Sequence, residues 1–89
     1  MMIFRQDRKA IEQLGKRIHI VKVGDKYQVV NRFSDNEVTE LGEYEKEINA
    51  REVLKRISRY IREKYRTYNM PEDNDPSLFW FIVDSLQKY

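Results

Sequence analysis

Residues 48–66, INAREVLKRISRYIREKYR, constrain the fold more than any other stretch of this chain. Ala50, Val53, Leu54, Ile57, Tyr60, Ile61 and Tyr65 recur at spacings of three and four, the signature of a helix with one apolar stripe. No Pro or Gly interrupts the run. Asn49 stands three residues before Glu52, the capping-box spacing, and Ile48 and Val53 are placed for a hydrophobic staple. The pattern predicts a long amphipathic helix over 48–66. An apolar stripe of this kind needs a sheet or another helix to cover it.

The other face of that helix is basic. Arg51, Lys55, Arg56, Arg59, Arg62, Lys64 and Arg66 stand against Glu52 and Glu63. Two readings compete. A charged helix face is ordinarily solvated, and Glu52–Arg56 has the i,i+4 spacing of a surface ion pair. Alternatively, the stripe Arg51, Lys55, Arg59, Arg62 and Arg66 is a candidate contact for nucleic acid or an acidic partner. The net charge of +2 hides a block arrangement. Residues 1–32 and 48–66 are basic, whereas 33–47 and 67–89 are acidic. The chain is therefore a polyampholyte, and its blocks are expected to neutralise one another in part.

Strand signals dominate the first half. Arg17 to Val23 and Tyr27 to Phe33 are rich in β-branched and aromatic residues and flank a short turn at Gly24. Ser34 to Glu37 is a second turn cluster, and Val38 to Tyr44 a third strand. Gly42 inside that strand marks a bulge or the close approach of another element. Ile3 to Arg5 is a short strand, and Arg8 to Leu14 fits either a strand or a helical turn, strand being favoured. After the helix, residues 67–71 are expected to be extended. Asp75-Pro76 has the form of an N-cap and first helical residue, opening a C-terminal helix over 76–87. The expected fold is α+β: an antiparallel meander of three to five strands packed on the long helix, with a short C-terminal helix. Eighty-nine residues make one domain, 1–89, with a β-rich half at 1–44. Expected core residues are Ile20, Val29, Leu41, Val53, Leu54, Ile57 and Ile61. Phe79, Trp80 and Phe81 are apolar on more than one side of the last helix and are candidates for self-association, giving a homodimer.

Chemistry-bearing motifs are few in this sequence. The chain has no cysteine, so disulfides, thiolate metal sites and cysteine nucleophiles are excluded. His19, the single histidine, falls mid-strand with no nucleophile nearby in sequence. The acidic clusters Glu43/Glu45/Glu47 and Glu72/Asp73/Asp75 lack the spacing of a calcium loop and read as solvated turns. No phosphate-binding glycine loop is present. No catalytic residue, cofactor or metal is expected, and the chain does not read as an enzyme. The opening MMIFRQDRKAIEQL is too charged for a signal peptide, and the longest apolar run, Leu78 to Val83, is too short to span a membrane. A cytoplasmic location is expected.

Several short motifs stand in order along the chain. They are Ile3-Phe4-Arg5-Gln6-Asp7-Arg8-Lys9, Tyr27-Gln28-Val29-Val30, Leu41-Gly42-Glu43-Tyr44, Ala50-Arg51-Glu52-Val53-Leu54 and Tyr68-Asn69-Met70-Pro71. Over residues 3 to 72 this pattern resembles a group of small uncharacterised proteins of Gram-positive bacteria and their phages. The chain departs from it at Arg8, where lysine is usual, and in its apolar extension from Pro76. The group has no assigned activity, so the resemblance transfers no site. It implies a β-rich N-terminal half, a fixed turn at Gln6-Asp7, and an accessory role of phage or prophage type. The function expected from sequence is a small non-catalytic accessory or protein-interaction module, with nucleic-acid binding through the basic helix face as the alternative.

Overall fold

A computed structural model describes residues 1–78. The elements run β1 (Met2–Phe4), β2 (Ile11–Gln13), β3 (Arg17–Val23), β4 (Lys26–Ser34), β5 (Glu37–Tyr44), α1 (Glu47–Arg62) and β6 (Thr67–Asn69). They form an α+β domain with two three-stranded sheets.

The larger sheet is the meander β3-β4-β5. Gly24 takes φ +63° in the tight turn between Val23 and Lys26, a conformation glycine adopts without strain. Ile20 pairs with Val29 and His19 with Val30. The β4–β5 ladder slips at the bulge: Val29 faces Gly42 and Val30 faces Glu40, leaving Leu41 as the extra residue. Both expectations for Gly42 are met at once. A Cβ there would lie 3.1 Å from Met70 Cε and 3.2 Å from Gln6 Cβ, so the bulge also admits two other segments.

The N-terminal strands do not extend the meander. They build a second, mixed sheet of order β2-β1-β6, with β1 antiparallel to β2 and parallel to β6. The expected extended run at 67–71 thus supplies a strand, and the chain after the helix returns to the N-terminus. Asn31 joins the sheets. It is wholly buried; its Nδ2 donates to Glu12 Oε1 (3.2 Å) and the Gln13 carbonyl (3.0 Å), and its Oδ1 accepts from the Gly15 N–H (2.8 Å). Thr39 Oγ1 also donates to Glu12 Oε1.

Helix α1 is shifted from its expected bounds. It starts at Glu47, because the Lys46 carbonyl already accepts from the N–H groups of Asn49 and Ala50. Asn49 is therefore inside the first turn rather than at the cap, and no side chain caps this end. Glu52 is engaged by Arg56 instead, and Ile48 is exposed, so neither capping box nor staple forms. The helix ends at Arg62, not Arg66. Lys64 takes φ +61°; its N–H donates to the Ile61 carbonyl and that of Tyr65 to the Tyr60 carbonyl. These are the two bonds of a Schellman motif, with lysine in the glycine position. The Tyr60 and Tyr65 rings, 4.6 Å apart, supply its apolar contact.

The core gathers Ile3, Val29, Leu41, Tyr44, Ala50, Val53, Ile57, Tyr68, Met70 and Leu78. Ile20 packs on its margin and Leu54 is half-buried, but Ile61 is 44% exposed because the helix stops one residue later. Residues 76–78 are helical, and Asp75 Oδ1 accepts from the Ser77 N–H at 2.8 Å, which is the expected N-cap bond. The remainder of the expected 76–87 helix lies outside the described residues, as do Phe79, Trp80 and Phe81. No helix among the described residues is long and apolar enough to cross a membrane.

Candidate binding cleft

The five residues of the basic stripe have different surroundings in the fold. Arg51 is tied to Glu47 by contacts of 2.9 and 3.0 Å. Lys55, Arg59 and Arg62 are exposed on α1, with the Arg59 guanidinium 6.0 Å from the Tyr60 ring. Arg66 lies beyond the end of α1. It follows the left-handed turn at Lys64, and its carbonyl accepts from the Met2 N–H. Arg56 is structural: it bonds Glu52, the Ser77 hydroxyl and the Ser77 carbonyl. His19 Nε2 accepts from Arg32 Nε at 3.2 Å. Partial burial, then the charges of Arg17 and Arg32, push its pKa below the ordinary histidine value, so it is a neutral acceptor held among cations.

The acidic segments show an organisation that no single stretch announces. Glu43 and Glu45 follow the bulge of β5; Glu72 and Asp73 follow β6. The fold brings them together in an open cleft of about 670 Å³, which Asp7 also lines. The frame of the cleft is neutral. The Gln6 side chain behaves as a piece of strand: its Oε1 accepts from the Glu43 N–H (2.9 Å), and its Nε2 donates to the carbonyls of Glu43 (3.1 Å) and Pro71 (3.2 Å). The Gln6 N–H donates to the Leu41 carbonyl. Tyr44, fully buried, donates its hydroxyl to the Pro71 carbonyl at 2.6 Å. Burial, reinforced by the neighbouring Tyr68 and Asp73, drives the Tyr44 pKa far up, so it stays protonated and keeps donating. The Glu45 N–H donates to Asp73 Oδ2 across the opening.

Five carboxylates against the single ammonium of Lys46 leave the lining four charges negative. Two are already committed: Glu43 contacts Lys26 at 3.4 Å, and Asp7 contacts Arg5 at 3.1 Å. Glu45 and Glu72 are exposed, and no lysine or arginine reaches either within 4 Å among the described residues. The start of α1 adds roughly half a positive charge from its backbone dipoles, too little to reverse the sign. Asn49, on the first turn of α1, also lines the cleft. It is 7% exposed, and its Oδ1 is buried without a hydrogen-bond donor. Such an acceptor costs about 1–3 kcal/mol while it stays unpaired.

Three of the short motifs meet here. Gln6-Asp7, Leu41-Gly42-Glu43-Tyr44 and Met70-Pro71 are far apart in sequence and form one frame in the fold. Sequence reasoning placed them separately and read the acids as isolated turns. Among the described residues, no group of three or more His, Asp or Glu is placed to hold a metal ion. The lining offers hydrogen-bond acceptors and net negative charge. Comparison with protein-family models, curated proteins and solved structures finds no match for this chain. The class that fold and site define is a small two-sheet α+β domain with an acidic cleft at the β5–α1 junction.

Proposed function

We propose that this chain is a small non-catalytic protein-interaction module of the accessory type, and that its cleft receives a positively charged segment of a partner protein. The observation that carries the reading is the convergence of acids from two separate segments on one opening, where no lysine or arginine among the described residues pairs with Glu45 or Glu72. A phage or prophage setting, implied by the resemblance, belongs to the same proposal. The test is calorimetric titration of the protein with a lysine- and arginine-containing peptide at low salt. Binding that weakens as salt rises, and that falls by about tenfold or more in the Glu45→Gln, Glu72→Gln variant, supports it. Both residues are exposed, so the variant keeps its fold. Absence of binding at low salt refutes it.

A second reading, nucleic-acid binding, draws support from Arg59 and Arg62. They stand exposed on one face of α1, with Tyr60 and Tyr65 beside them. It requires salt-sensitive association with mixed DNA or RNA that Arg59→Glu, Arg62→Glu abolishes. The cleft reading is preferred because its charges are gathered by the tertiary fold, whereas those of α1 are what a solvated helix face would carry anyway.

A further inference from the structure

We infer that the cleft is a seat for an arginine side chain of the partner, with Asn49 Oδ1 as its uncharged anchor. The inference rests on the reading just given and specifies its ligand. Two independent observations meet in one place. The acids supply the counter-charge, and Asn49 supplies a buried acceptor that the chain itself leaves without a donor among the described residues.

The acceptors in the lining differ in kind. Glu45 and Glu72 are exposed carboxylates; Asp73 accepts from the Glu45 N–H through Oδ2; Asn49 is buried, and its Oδ1 has no donor among the described residues. A lysine ammonium is a compact point charge with three donors and a strong hold on its water. A guanidinium carries five N–H donors in a flat fork and is more weakly hydrated. It can place one edge on a carboxylate and another on the amide oxygen, and it loses less on leaving water for a part-buried seat. An exposed carboxylate alone would favour any cation. The buried neutral acceptor is what distinguishes arginine, because it has to be reached by a donor directed away from the exposed carboxylates.

Peptide titrations followed by amide NMR test this. The probes are acetyl-Gly-Arg-Gly-amide, its lysine counterpart and methylguanidinium. The expected result is an arginine peptide bound about tenfold more tightly than the lysine peptide, with the Asn49 side-chain amide signals shifting only for the guanidinium probes. Asn49→Leu, close in size, should abolish that preference while leaving the weak lysine binding in place. Asp73→Asn, which keeps an oxygen for the Glu45 N–H, should weaken both peptides. Thermal melts of each variant confirm that it folds. Equal binding of the two peptides, unaffected by Asn49→Leu, overturns the arginine seat and leaves the protein-interaction reading intact. Methylguanidinium binding as tightly as the arginine peptide overturns the peptide source. Failure of both peptides to bind overturns the seat and that reading together.

Discussion

Lys64 is the position where a single substitution most directly tests the architecture. It holds φ +61° at the end of α1, where the Schellman bonds Lys64 N–H to Ile61 and Tyr65 N–H to Tyr60 close the helix. An L-residue there costs about 1–2 kcal/mol from the clash of Cβ with the carbonyl oxygen. Glycine removes that cost but adds about 0.5–1 kcal/mol of chain entropy to the unfolded state. The expected net gain for Lys64→Gly is therefore centred on about 0.75 kcal/mol, within a range of about 0–1.5 kcal/mol. For a domain of this size that raises Tm by roughly 2–8 °C. Differential scanning calorimetry reads it directly. Lys64→Ala is the control, because it removes the charge and keeps the Cβ. It should stay within about 0.5 kcal/mol of the parent protein. If alanine stabilises as much as glycine, relief of repulsion from Arg59, Arg62 and Arg66 is the cause, and the conformational argument fails. If glycine destabilises, the left-handed turn is not formed, and the helix runs on toward Arg66.

Three further outcomes follow from the same geometry. Tyr44→Phe deletes the bond to the Pro71 carbonyl and should cost about 1–2 kcal/mol of global stability by denaturant melt. Tyr68, pushed up to about 12 chiefly by its burial, and Tyr44, raised further, stay protonated in the fold while unfolded tyrosines ionise near 10. The unfolded state then binds fewer protons, so stability should be full below pH 10 and fall above it, by up to about 1.4 kcal/mol per pH unit for each buried tyrosine. Melts at pH 8 and pH 11 check the slope, and Tyr44→Phe should shallow it. Asn31→Asp replaces two donated bonds with a buried charge facing Glu12 and should cost about 3–5 kcal/mol at pH 7. A protonated Asp at 31 regains a donor, so the deficit should narrow as the pH falls toward 4; a deficit independent of pH would refute the donor assignment.

The meander was legible in the sequence because β3 and β4 carry their own signals, β-branched residues flanking a Gly24 turn. The core face of α1 was legible for the same reason, and Val53 and Ile57 are buried as their spacing requires. The helix ends were not. At Lys64 the chain takes a glycine conformation with a lysine, so no residue type announces the stop, and the apparent period continues through Tyr65. At the start, Asn49 has the chemistry of a cap, but it is buried inside the first turn of the helix. Strand β6 is three residues long and pairs in parallel with β1, a partner more than sixty positions away, and such a pairing leaves no local pattern. The cleft was the least legible feature. Each of its acids, taken alone, suits a solvated turn; only the return of β6 to β1 sets Glu72 and Asp73 opposite Glu43 and Glu45.

That return also explains how an acidic opening is sustained in a small domain. Like charges gathered at one place repel, and a cleft held by its own ion pairs would neutralise the charge it presents. Here the walls are joined mainly by neutral groups, with one further bond from the Glu45 N–H to the Asp73 carboxylate. The Gln6 amide, the Tyr44 hydroxyl and the Pro71 carbonyl form the frame, with Gly42 leaving room for Gln6 and Met70 to approach. The separation has a consequence that binding experiments can use. Changing Glu45 or Glu72 alters the charge of the opening without touching a bond of the frame, so affinity for a cation should fall while Tm holds or rises through relieved repulsion. Changing Gln6 or Tyr44 should do the reverse, lowering Tm first and affinity only as the walls part. A single mutation that lowers both together at Glu72 would mean that the acids are part of the framework, and the cleft would then be a structural feature rather than a site.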